Sequence, residues 1–199
     1  MQYTQLFNQI DELLTEKEHV IVAIEGNSGA GKSSLAELLR NTYSCNVISM
    51  DSFFLRLKQR TQERLSEPGG NIDYERFGSE VLKPLKTGEN FAYRPYDCRA
   101  MQLTDPVYVE QTRLTVVEGV YSMHPYFTRI CFADTSTGDK STIYDISVFL
   151  KVNEDEQLRR LRERNPMLLE RFISEWIPME NRYFEHFMIS QKSDYVFDG

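Results

Sequence analysis

"IVAIEGNSGAGKSS", residues 21–34, is an apolar run that gives way to a stretch with three glycines, three serines and a lysine. Gly26-x-x-x-x-Gly31-Lys32-Ser33 has the spacing of a P-loop, and Val20 to Ile24 reads as the continuous hydrophobic strand that should precede one. From Ser33 onward "SSLAELLR" has helical periodicity, so the glycines join a strand to a helix. In that setting the backbone N–H groups of Gly26, Asn27, Ser28, Gly29, Ala30, Gly31, Lys32, Ser33 and Ser34 surround one point. The helix dipole favours negative charge there. The stretch is expected to hold the phosphates of a nucleoside triphosphate.

Composition narrows the rest. The chain has 199 residues, 41% hydrophobic and 12% aromatic, which suits one globular domain over 1–199. Its net charge of −7 is the wrong sign for a protein that holds nucleic acid through phosphate contacts. The first 18 residues carry Asp11, Glu12, Glu16 and Glu18 and no long apolar core, so they do not read as a signal peptide. No apolar run is long enough to span a membrane. Cys45, Cys98 and Cys131 are odd in number, far apart and without a C-x-x-C, which fits reduced structural thiols in a cytoplasmic protein.

The order of elements predicts the fold class. Leu6, Ile10, Leu13 and Leu14 mark an amphipathic first helix, and the helix after the P-loop should reach about Tyr43. "NVISMD" (46–51), "RLTVVEG" (113–119), "YDISVFLKV" (144–152) and "DYVFD" (194–198) read as further strands. Residues 52–72, with Pro68-Gly69-Gly70, read as a loop or mobile segment, and residues 73–88 as a helix. Residues 91–112 suit a projecting hairpin. Glu154 to Asn165 and Leu168 to Ile189 read as helices, the second interrupted at Pro178. Buried strands alternating with helices predict an α/β fold of three layers, with a mostly parallel five-stranded sheet and active residues at the carboxyl ends of its strands.

Two of those strands end in acids, Asp51 and Glu118. Phosphoryl transfer requires carboxylates for two tasks: holding Mg²⁺ together with the P-loop hydroxyl of Ser33, and accepting the proton of the attacking hydroxyl. An acid at a strand end also commonly caps the next helix. Asp51 and Glu118 are the candidates for the chemical tasks.

Taken in order, "GNSGAGKSS" (26–34), "MDSFF" (50–54), "NIDYERF" (71–77), "YRPYDC" (93–98), "VVEGVY" (116–121) and "FLKVNEDEQLRRLRERN" (149–165) resemble the uridine kinase and phosphoribulokinase family of P-loop kinases. The resemblance spans nearly the whole chain. It implies sheet order 2-3-1-4-5, a hairpin over the acceptor site (about 91–112), an arginine-bearing lid (about 159–171), and transfer of the ATP γ-phosphoryl group to a small-molecule hydroxyl with Mg²⁺. By the same resemblance Asp51 is the catalytic acid and lies close to the metal, Glu118 is the acid near Mg²⁺, and Lys32 neutralises β- and γ-phosphate charge.

"LRRLRERN" places Arg160 and Arg164 four apart on one helical face. The plain reading is a solvated face, with Glu156 and Arg160 forming an i, i+4 pair worth about 0.2–0.5 kcal/mol. After the fourth strand of a P-loop kinase, the expectation is that Arg160 and Arg164 close over the triphosphate; Arg159, Arg162 and Arg171 are weaker candidates. On the acceptor side Asp73 is either an N-cap or, where the family's motif is matched, a ligand for sugar hydroxyls. Tyr96 and Asp97 match the family's hairpin "YD". Arg56, Arg60 and Arg64 add positive charge without a fixed direction. The chain departs from the uridine kinases after that "YD": it continues "CRAMQLTDP" with no histidine. His124 reads as the start of a helix with Pro125. Phe172, Ile173, Trp176, Ile177, Tyr183, Phe184 and Phe187 recur at helical spacing, as core or oligomer surface does.

The sequence therefore leads to an expected cytoplasmic Mg²⁺- and ATP-dependent kinase of a small-molecule hydroxyl, with uridine or cytidine as the first acceptor. The alternatives are nicotinamide riboside, pantothenate, glycerate or a sugar, or a regulatory P-loop ATPase with no acceptor. Neither nucleic acid nor a membrane is expected as a partner, and the family's members are often homo-oligomers.

Overall fold

The computed structural model describes residues 2–128 and 143–199. Cys131 lies outside the described residues. Five strands form one parallel sheet: β1 (Val20–Gly26), β2 (Asn46–Ser49), β7 (Leu114–Glu118), β8 (Ile146–Lys151) and β9 (Tyr195–Asp198), in the spatial order β2-β7-β1-β8-β9. β1 is buried along its whole length, as a strand covered on both faces must be.

Period-2 alternation divides its side chains between two cores. Val20, Val22 and Ile24 face α1 (Thr4–Glu16) and α2 (Lys32–Tyr43), where Leu6, Ile10, Leu35 and Leu39 are fully or almost fully buried. Ile21 faces the other side, among Phe53, Phe77, Val81, Val117, Phe149 and Tyr183. The predicted first helix, the parallel sheet and the helical layers are all present.

Four shorter strands build the hairpin. β3 (Phe91–Tyr93) pairs antiparallel with β6 (Val107–Val109), and inside them β4 (Tyr96–Asp97) pairs with β5 (Gln102–Leu103).

Three local expectations are corrected. Residues 52–72 are not a featureless loop: they contain a 3₁₀ turn (Leu57–Gln59), a short helix (Gln62–Ser66) and a bridge between Phe54 and Ile72. Arg64 organises them, its guanidinium bonding Gly70 O, Ile72 O and the Glu75 carboxylate while lying 3.6 Å from the Tyr74 ring. That use fixes Arg64 in a structural role.

Asp51 does not terminate a strand, because β2 ends at Ser49 and Met50–Phe53 form a 3₁₀ turn. The Ser49 hydroxyl accepts from the Asp51 N–H at 3.4 Å. Pro178 does not break its helix. A π turn (Phe172–Trp176) precedes it, and the chain keeps right-handed helical angles into Ile177–Phe187, where proline occupies the first turn and its missing donor is not needed.

Candidate active site

The strand ends bring the candidates together. Glu118 is in register with Ile24 of β1 and Ser49 of β2, so the P-loop, Glu118 and the turn carrying Asp51 share one edge of the sheet. Gly119 packs on Met50 just beyond that register.

Gly26, Gly29 and Gly31 all have positive φ. Gly26 has no alternative, since a Cβ there would stand 2.1 Å from Leu150 O. α2 begins at Lys32, which is buried; its ammonium donates to Gly26 O and Asn27 O at 2.9 Å each. The Ser33 hydroxyl donates to Glu118 at 3.3 Å. This pair of hard oxygen donors beside a loop of convergent N–H groups fits Mg²⁺, which binds through one or two protein oxygens, substrate phosphates and water. Ala30 is packed into the core, its N–H bonding Asn27 O, and Ser34 is exposed on the first helical turn.

Side chains that the sequence did not single out hold the loop. Glu180, from Ile177–Phe187, is buried and accepts from the Ser28 N–H at 3.0 Å and from the Ser28 hydroxyl. Burial pushes its carboxyl up, against the Ser28 bonds and the Lys32 charge. On the other side Gln157 donates to Ser28 O at 2.9 Å, and Arg160 donates to Gly29 O at 3.0 Å.

Glu25, the residue before Gly26, is fully buried. Its carboxylate accepts from the N–H groups of Tyr121 and of Met123 (2.7 Å) and from the Tyr183 hydroxyl (3.1 Å). Burial drives it up to about 7, while these bonds and Lys32 pull the other way. Tyr121 has a φ of 76°, unusual for a bulky residue, and the bond its N–H donates to Glu25 helps hold it there. Glu25 thus ties β1 to the segment just beyond Glu118. An acid at the end of the apolar run "VIVAIEG" was its only visible signal.

The arginines divide. Arg160 reaches the P-loop, but its donors are spread over Gly29 O, Glu156 and Gly199 O. Arg164 is exposed on the last turn of Glu154–Arg164. Arg159 pairs with Glu156 and Glu163 on the solvated face. Arg171 pairs with Glu175 and lies 5.0 Å from the Trp176 ring.

On the acceptor side Asp51 is exposed. The turn that carries it packs against β4 of the hairpin, and its charge is felt at Glu180 and at Cys98. Arg60 bonds Leu55 O, sits 5.9 Å from the Tyr96 ring, and also influences Cys98, whose thiol burial pushes up. Asp73 is an N-cap: Oδ1 accepts from Arg76 N at 3.2 Å, while Oδ2 accepts from Gln59 Nε2 at 2.9 Å and lies 3.6 Å from Arg56 and Arg76.

Arg76 is buried against Phe53 and donates to Ser52 O and Arg94 O, bracing the Asp51 turn against the hairpin. Tyr96 is buried and touches Met101 Sδ. Asp97 caps the hairpin turn: its Oδ1 accepts from the N–H groups of Arg99 and Ala100, and those bonds hold the carboxyl below its ordinary range. His124 is stacked on Tyr74 and Tyr183 in the core.

Solved structures share this fold over almost the whole chain. A Bacillus stearothermophilus protein described as a "possible uridine kinase" superposes with a TM-score of 0.65 at 20% identity, covering 98% of this chain and 100% of its own. The fold is that of the P-loop kinases. Phosphoribulokinase from Rhodobacter spheroides superposes with a TM-score of 0.55 at 14% identity, over 91% of this chain and 70% of its own. In sequence, the "putative uridine kinase C227.14" of Schizosaccharomyces pombe is 24% identical over 182 residues, which is 82% of this chain and 73% of the relative. The resemblance to the uridine kinase and phosphoribulokinase group therefore stands on both sequence and fold. No family model matches the chain. No described helix is long and apolar enough to cross a membrane.

Proposed function

We propose that the protein transfers the γ-phosphoryl group of ATP to a hydroxyl of a small molecule bound between Asp51 and the hairpin. The observation that carries this reading is the shared edge formed by the P-loop, the Ser33–Glu118 pair and the turn of Asp51, which packs against β4 of the hairpin.

In the proposed step the Asp51 carboxylate accepts the proton of the acceptor hydroxyl as its oxygen attacks the γ-phosphorus in line. The bond from that phosphorus to the β-phosphate oxygen breaks, and ADP leaves. Lys32 exchanges its carbonyl partners for phosphate oxygens and stabilises charge on the leaving group. Ser33 and Glu118 are the residues that would hold Mg²⁺, which supplies charge neutralisation between β- and γ-phosphates. Arg160 and Arg164 are the proposed cationic cover, Arg160 by releasing Glu156. Tyr96 walls the acceptor site, and Asp73 reaches an acceptor hydroxyl when Gln59 gives up its oxygen.

A nucleoside such as uridine is the first acceptor to test, since the named relatives are described as uridine kinases. The test is ADP release from Mg²⁺-ATP by the purified protein, with and without uridine, cytidine and other hydroxyl compounds, and mass spectrometry for a phosphorylated product. Acceptor-stimulated release that disappears in Asp51→Asn supports the reading. Slow release unchanged by every acceptor favours a regulatory ATPase instead.

A further inference from the structure

A cavity of about 420 Å³ opens between residues 56–59 and the inner strands of the hairpin, of which β4 packs against the turn that carries Asp51. That is enough for a small metabolite. One wall carries Arg56, Lys58 and Gln59; the other carries Tyr96, Met101 and Gln102. The stretch that departs from the uridine kinase pattern, "CRAMQLTDP", supplies Met101 and Gln102.

The charge of the cavity runs against that of the chain. Acids outnumber bases 30 to 23 overall, yet no acid is among the described residues lining this space. Asp73 approaches Arg56 from behind, at 3.6 Å, but it is 2% exposed and its oxygens are engaged by Arg76 N and Gln59, whereas the Arg56 side chain is 48% exposed. The other nearby acids are Asp51, to which the acceptor's hydroxyl is assigned, and Asp97, whose carboxylate closes the hairpin turn. Arg60 lies over Tyr96 and adds a third cation on the Asp51 side. Arg56 also donates through Nε to Gln59 Oε1 at 2.9 Å, and its one counter-charge among the described residues, Asp73, is shared with Arg76. A neutral acceptor would crowd Arg56 and Lys58 away from water without adding to that single charge, whereas an anion at their end of the cavity would answer both.

We propose that the acceptor carries an anionic group, a carboxylate or a phosphate, that Arg56 and Lys58 receive while its hydroxyl lies at Asp51. This rests on the kinase reading above and specifies the acceptor's class.

The test uses the full chain, Mg²⁺-ATP and acceptor pairs that differ in charge: glycerate with glycerol and pantothenate with panthenol for a carboxylate, ribose 5-phosphate with ribose for a phosphate, and uridine alone. The expected result is stimulation by at least one anionic compound, with a KM at least tenfold below that of its neutral counterpart. The same KM should rise tenfold or more in the Arg56→Gln/Lys58→Gln double variant with kcat nearly kept, and Arg56→Lys should retain most of the affinity. Should the double variant not fold, the paired comparison in the unaltered protein still decides.

Equal use of neutral and charged partners, or an unchanged KM in the folded double variant, overturns the proposal. Stimulation by uridine with no response to any anion also overturns it and leaves the kinase reading standing. ADP release indifferent to every compound overturns both.

Discussion

A β-carbon at Gly119 would stand 2.8 Å from the Cβ of Met50, closer than side chains in proteins approach. Met50 precedes Asp51 and Gly119 follows Glu118, so this contact sets the spacing of the two acids to which we assign the proton and the metal. Gly119 also has a φ of 133°, which alanine adopts only with strain. Gly119→Ala is expected to cost about 1–3 kcal/mol of stability. Acceptor-stimulated turnover should fall at least tenfold at temperatures where the variant remains folded. Denaturation curves paired with turnover measurements check this, and near-wild-type turnover would show that the spacing is not critical.

Glu180 holds the P-loop by the Ser28 N–H and hydroxyl. Removing a charged acceptor from a buried donor costs roughly 1–3 kcal/mol. Glu180→Ala should therefore raise the Kd for ATP by tenfold or more, and Glu180→Gln, which keeps one acceptor oxygen, by less. Calorimetric titration with ATP measures both. Equal affinities in all three proteins would mean that Glu180 does not shape the loop.

Glu25 makes stability depend on pH. Its carboxyl is raised by burial from an ordinary 4.5 to about 7, so the folded protein holds this proton more tightly than the unfolded chain. The resulting stabilisation is complete below about pH 4.5 and is lost as the pH rises through about 7. Its size is on the order of 3 kcal/mol. Between about pH 5 and about pH 8, the stability of the wild type relative to Glu25→Gln should fall by up to that amount in urea denaturation. A difference that does not change with pH would contradict the assignment.

Asp73 has two roles that substitution can separate. Asparagine keeps the cap but removes the charge that faces the buried Arg76, so Asp73→Asn should cost about 1–3 kcal/mol and still fold. If the carboxylate also reaches an acceptor hydroxyl, the acceptor KM rises several-fold while the Kd for ATP stays the same. An unchanged KM assigns Asp73 to the cap alone.

The parts of this site legible in the sequence were those written in local pattern. Gly26 to Ser34 declare the loop because close phosphate approach demands glycine, and the strands declare themselves because burial on both faces demands unbroken apolar runs. Glu25 and Glu180 were hidden because their meaning depends on partners 96 and 152 residues away, Tyr121 and Ser28. Nothing in the sequence fixes the direction of Arg64; the fold turns it onto Glu75 and two backbone carbonyls. The end of β2 was misread at Asp51 because the apolar pattern of "NVISM" continues into a 3₁₀ turn, and periodicity does not distinguish the two over four residues.

The central proposal is that the γ-phosphoryl group of ATP passes to an organic hydroxyl whose proton Asp51 accepts. It is tested most directly by incubating the protein with Mg²⁺ and ATP labelled at the γ-phosphate in a small-molecule extract, then following the label in wild type and Asp51→Asn. The account predicts label in an organic phosphate ester with the wild type, and at least a hundredfold less with Asp51→Asn at unchanged ATP affinity. Label appearing only as inorganic phosphate, at equal rates in both proteins, would contradict it.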